Sequence, residues 1–182
     1  MAYFYFDFRE NAKQDVRGLL TSLLVQLCAR SDSCYKILSE LYSKHNAGIR
    51  QPVDDALKKC LIEMLSVEGQ PVTYIIVDAL DECPITGTVS PREQVLDLLE
   101  ELVDLGLPNL RLFTTSRPEA DIITAFEPLA SHVVSLHDHT GQKNDVSDYV
   151  RSVVYTDRRM RRWRAEDKEH VIDTLVHRAD GM

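Results

Sequence analysis

Three carboxylates, Asp78, Asp81 and Glu82, follow directly on the apolar run Tyr74-Ile75-Ile76-Val77. A short run of β-branched and aromatic residues predicts a strand buried on both faces of a parallel sheet. Carboxylates crowded at the end of such a strand repel one another and lose hydration, and a bound cation would offset that cost. In open α/β sheets ligands bind at the carboxyl ends of the strands. A strand of Walker-B type places its Asp there to hold Mg²⁺ beside nucleotide phosphates, and on that reading Asp78 is the metal carboxylate. The plainer reading has Asp78 capping the strand and Asp81 and Glu82 opening a solvated loop. The spacing favours the first.

The second such segment is Leu110–Thr115, a short strand that ends on Ser116-Arg117-Pro118. A guanidinium presents a fixed fork of donors that matches phosphate oxygens. At the tip of the strand beside a Walker-B strand, Arg117 can sense a γ-phosphate. Pro118 forces Arg117 out of helical geometry and can open the next helix at its first turn. A lone Ser-Arg-Pro would read as a surface Arg before a helix. One helix downstream of the acidic strand, the sensor reading is the stronger.

The surrounding pattern supplies elements to position these residues. Tyr3–Phe8 alternates and predicts a strand. Val16, Leu19, Leu20, Leu23, Leu24 and Leu27 form one apolar helical face. A second helix covers Cys34–Lys44, and a third starts near Asp54, a good cap, and runs to Gly69. After the acidic strand comes a loop over 84–90, expected to be mobile, and a helix opened by Pro91. Glu119–Leu129 predicts a helix, His132–Leu136 a further strand, and two more helices fill the chain from Lys143, the last over Ala165–Arg178. Alternating strands and helices imply a mostly parallel sheet.

The 182 residues suffice for one sizeable core, and the net charge of −8 argues against a general nucleic-acid role. No apolar run approaches a membrane span, and no signal-peptide layout opens the chain. Cys28, Cys34, Cys60 and Cys83 have no metal-type pairing and read as reduced thiols of a cytoplasmic protein. The basic cluster Arg158–Arg164, with Trp163 inside it, reads as a solvated turn balanced by Glu166, Asp167 and Glu169. His137-Asp138-His139 reads as a polar loop, since no second ligand cluster accompanies it. Cys83 beside Glu82 reads as a loop thiol.

Ala2–Arg9 (Ala-Tyr-Phe-Tyr-Phe-Asp-Phe-Arg), Leu19–Leu27 (Leu-Leu-Thr-Ser-Leu-Leu-Val-Gln-Leu), Tyr74–Cys83 and Thr114–Pro118 together resemble the NACHT-type NTPase domain of the signal-transduction ATPases. The form they are most similar to is the fungal one, related to the nephrocystin-like N-terminal domain. Ala179-Asp180-Gly181-Met182 is similar to the family's lead into a further helix. The resemblance implies a three-layer α/β P-loop NTPase core over residues 1–140 and the start of a C-terminal helical region over 141–182. It implies that Asp78 holds Mg²⁺ through water, that Asp81 and Glu82 orient and activate the attacking water, and that Arg117, with Ser116 beside it, reports the γ-phosphate. It also implies slow ATP or GTP hydrolysis used as a switch, with self-association through the NTPase domain and signalling through attached effector and repeat domains. In fungi such proteins are associated with non-self recognition.

The family's phosphate loop, a Gly-rich turn ending in Gly-Lys-Ser/Thr, has no counterpart in this sequence: none of its seven glycines is followed by Lys. The expectation is an internal fragment or truncated product that lacks the first strand, the loop and the first helix. Without a backbone N–H cradle and its Lys, the main source of nucleotide affinity, neither ATP nor GTP is expected to bind tightly to this chain alone. A non-catalytic interaction fragment is the alternative. The family's strand order places the missing strand between Leu110–Thr115 and His132–Leu136, which would leave a vacant slot between them.

Overall fold

The computed structural model describes residues 1–87, 90–135 and 140–178. Strand β1 (Ala2–Tyr5) ends earlier than the Tyr3–Phe8 expected from the alternation; it buries Ala2 and Phe4 and exposes Tyr3 and Tyr5. Helix α1 (Val16–Cys28) is capped by Asp15, whose carboxylate accepts from the Gly18 N–H at 2.8 Å. Gly18 is required there, because a Cβ would stand 2.1 Å from the Ala12 carbonyl oxygen. All six leucine and valine positions expected on the apolar face of α1 are buried. The stripe is broad because α1 is packed on two sides, against β1 and against helices α2 (Asp32–Lys44) and α3 (Asp54–Leu65). Val53, not Asp54, is the capping position of α3. Asp54 lies in the first turn, where it complements the helix dipole and pairs with Arg17 of α1 at 2.5 Å.

The central strand β2 (Thr73–Asp78) is followed by α4 (Pro91–Asp104), β3 (Leu110–Thr114) and α5 (Ala120–Phe126). The sheet is parallel in the order β1-β2-β3, with Tyr5 opposite Asp78 and Val77 opposite Thr114. Both crossovers step the same way across the sheet, and right-handed connections then place their helices on one face. Phe4, Ile75 and Val77 join α1, α3 and α4 in one core, with Leu110 and Leu112 packed against it. The expectation that β2 is buried on both faces is therefore corrected. Ile75 and Val77 are buried, whereas Tyr74 belongs to an exposed face shared with Tyr3, Tyr5 and Phe113, the last 55% exposed.

A second correction concerns His132–Leu136. Residues 132–135 form no strand, and Val133 and Val134 are exposed; Leu136 lies outside the described residues. Two branched residues without a neighbouring strand to pair with do not make one by propensity alone. Among the described residues β3 has no strand on its outer edge. His137-Asp138-His139, the closing Ala179–Met182 and part of the 84–90 loop also lie outside the described residues.

The chain divides into two compact units, Met1–Ala130 and Ser131–Met182. In the second, α6 (Thr140–Thr156) packs on α7 (Ala165–Arg178) with Val154 and Ile172 buried. Arg151 binds both oxygens of Glu169 at 2.9 Å, and Tyr155 donates to the same carboxylate at 2.7 Å. Asp167 pairs with Arg164. The basic cluster is thus balanced in part by Asp167, whereas Glu169 is engaged outside it by Arg151; Arg158, Arg159, Arg161 and Arg162 are exposed, as in a solvated turn. Among the described residues no helix is long and apolar enough to cross a membrane.

Candidate functional site

The parallel sheet brings all five residues singled out in the sequence to its carboxyl end. Asp78 closes β2 and is exposed. Its Oδ1 accepts a hydrogen bond from the hydroxyl of Thr115, which also accepts from the Ala79 N–H at 3.1 Å. Ala79 takes a left-handed backbone conformation, φ 54° and ψ 46°. Few non-glycine residues do so, because Cβ crowds the following carbonyl. That twist turns the chain sharply into a 3₁₀ turn, Leu80–Glu82, pinned by the buried Leu80 side chain and by its N–H on the Thr115 carbonyl at 3.0 Å.

The turn aims its two carboxylates apart. Asp81 accepts from the Arg117 N–H at 3.1 Å through Oδ1, and its Oδ2 lies 3.4 Å from Arg117 Nε. Its side chain is 11% exposed and that of Arg117 82%. With its guanidinium this open to solvent the pair contributes about 0–1 kcal/mol, so Arg117 is held in place but cheaply released. Glu82 instead accepts from the Phe8 N–H at 3.3 Å, on the segment that leaves β1. Ser116 is exposed beside Arg117. Asp78 and Asp81 thus serve the β3 side and Glu82 the β1 side.

Residues the motifs did not reveal complete the end of the sheet. Asp7 is buried, and Arg9 folds back on it through its own N–H and Nε at 2.9 Å and Nη2 at 2.8 Å. The Arg9 side-chain hydrogen bonds, seconded by its backbone N–H, hold the Asp7 carboxyl at about 2. Behind the acidic turn lies the buried guanidinium of Arg92, whose donors reach the carbonyls of Asp81 and Cys83. A charged residue immediately after a helix-opening Pro was the signal available for it. Cys83 is buried, and burial pushes its thiol up to about 12, in keeping with an inert loop thiol.

Among the described residues no three His, Cys, Asp or Glu side chains converge as a metal site. Mg²⁺ does not need that many: it is bound by one or two carboxylates, with waters and substrate phosphates completing the shell. Asp78 fits this requirement, being exposed, with Oδ2 outside the bond to Thr115 and a hydroxyl oxygen alongside. Residues 1–117 match the family model described as nephrocystin 3, N-terminal. No curated protein and no solved structure matches the chain.

Proposed function

The chain belongs to the nephrocystin-3 N-terminal family, and from that premise we propose that residues 1–130 are part of a nucleotide-binding domain of the NACHT type, a P-loop NTPase module that acts as an ATP- or GTP-dependent signalling switch. The observation that carries this reading is the pairing of Asp81 with Arg117 next to Asp78, at the strand ends where open α/β sheets bind ligands.

Asp78 would hold Mg²⁺, which when bound supplies charge neutralisation of the phosphates. Asp78 is already oriented by the Thr115 hydroxyl, so its free oxygen has a fixed direction. Arg117 and Ser116 would meet the terminal phosphate: a phosphate dianion is a stronger partner for the guanidinium than the single carboxylate of Asp81. Arg117 leaving Asp81 would free that carboxylate to accept a hydrogen bond from water. Glu82 would act as the second acceptor. The loop that exchanges one partner of Arg117 for another is the switch.

The second reading is an interaction module that does not hydrolyse nucleotide. One experiment separates the two. In a longer form of the protein that carries a Gly-Lys-Ser/Thr loop, Asp78→Ala should abolish Mg²⁺-dependent nucleotide binding. Glu82→Gln should keep binding and slow hydrolysis on the order of 10²-fold. An unmodified rate in Glu82→Gln would remove that carboxylate from the chemistry, and no nucleotide binding at all would favour the interaction module.

A further inference from the structure

Arg92 carries its charge into a place that disfavours it twice. It occupies the first turn of α4 directly after Pro91, where the N-terminal end of the helix dipole repels a cation. Its side chain is only 5% exposed, and a guanidinium out of water is costly unless every donor is met. The partners explain its retention. Nε donates to the Cys83 carbonyl at 2.9 Å and Nη2 to the Asp81 carbonyl at 2.5 Å. Nη1 meets a carboxylate oxygen of Glu119 and, at 3.2 Å, one of Asp121. Burial pulls the pKa of Arg92 down, and the bonds to Glu119 and Asp121 more than offset it.

These partners fall into two groups. Asp81 and Cys83 contribute the backbone of the acidic turn. Glu119 and Asp121 stand at the start of α5, just past Arg117-Pro118, and the Glu119 N–H donates to the Arg117 carbonyl at 2.8 Å. One planar side chain therefore spans both loops. A lysine would bring a point charge on a flexible stem and could not address carbonyls on one side and carboxylates on the other.

We propose that Arg92 is a positioning residue that ties the turn Leu80–Glu82 to the segment 115–119, so that the two loops move as one. A displacement of Arg117, which already meets Asp81 directly, would then also reach the start of α4 through this side chain. The tie stands on geometry alone; its use in handling nucleotide rests on the reading above.

The test is amide hydrogen exchange, followed residue by residue by NMR in the chain as it is, without nucleotide. In folded Arg92→Lys, and in the double variant Glu119→Gln with Asp121→Asn, the amide of the buried Leu80, which donates to the Thr115 carbonyl across the two loops, should exchange about tenfold faster or more. The Ile75 and Val77 amides should keep their protection. Lys58→Met, which removes an ion pair to Glu101 elsewhere on α4, should leave Leu80 unchanged. Native-like exchange at Leu80 in a folded variant would overturn the proposal, as would an even loss of protection across the sheet. If Arg92→Lys does not fold, the double variant decides, because it keeps the bonds of Arg92 to both carbonyls. Failure of the nucleotide reading would show as no response to Mg-ATP and would leave this result untouched.

Discussion

Replacing Ala79 by glycine should stabilise the protein, an unusual outcome at the edge of a proposed site. Ala79 sits at φ 54°, between the last residue of β2 and the acidic turn. An L-residue in this region costs ~1–2 kcal/mol relative to the right-handed one. Glycine removes that cost and gives back ~0.5–1 kcal/mol of chain entropy on folding, so the net gain is about 0.5–1 kcal/mol. The Ala79 side chain is not part of the buried core, so little packing is lost with the methyl. For a chain of this size the gain corresponds to a rise of roughly 1–4 °C in Tm. Urea denaturation of native, Ala79→Gly and Ala79→Val chains would measure it, with unchanged m values as the control for two-state behaviour. Ala79→Val should lose at least about 1 kcal/mol, since a β-branched residue tolerates this backbone poorly. A glycine variant less stable than the native chain, or a valine variant as stable, would refute the idea that strain is stored at the turn.

Two further outcomes follow from the titrating groups. Asp7 is held at about 2, below its ordinary 3.8, so its contribution to stability is complete above about pH 4 and is lost as the pH falls toward 2. Asp7→Asn should therefore flatten the acid limb of an unfolding curve followed by circular dichroism, and an unaltered limb would count against the Arg9 pairing. Among the cysteines, burial pushes Cys60 to about 11 and Cys83 to about 12. Half-buried Cys28 should accordingly react first with a thiol reagent at neutral pH, and fast labelling of Cys83 in the folded chain would contradict the packing around the acidic turn.

Much of the placement of the candidate site could be read from the chain because its signals are local. The run Tyr74–Val77 and the acids after it needed no tertiary information to suggest a strand end, and the apolar spacing of α1 survived into a fully buried face. The one-sided burial of β2 was not legible: apolar residues look the same whether a helix layer lies on one face or both, and only the direction of the crossovers decides. His132–Leu136 failed for a related reason, since strand propensity without a partner is weak. Arg92 was hidden because its significance lies in four acceptors contributed by two distant loops. The division of labour between Asp81, which meets Arg117, and Glu82, which meets Phe8, likewise depends on a backbone twist at Ala79 that an alanine does not announce.

The central claim is that the carboxyl end of this sheet is built for nucleotide. An NMR titration of the chain with Mg-ATP and Mg-GTP tests it most directly. The expected result is weak binding, on the order of millimolar or weaker because no phosphate loop contributes. Its shifts should be confined to Asp78, Asp81, Glu82, Ser116 and Arg117, and Asp78→Ala should abolish them. Shifts at the opposite end of the sheet, none at these residues, or low-micromolar affinity that survives Asp78→Ala would contradict it.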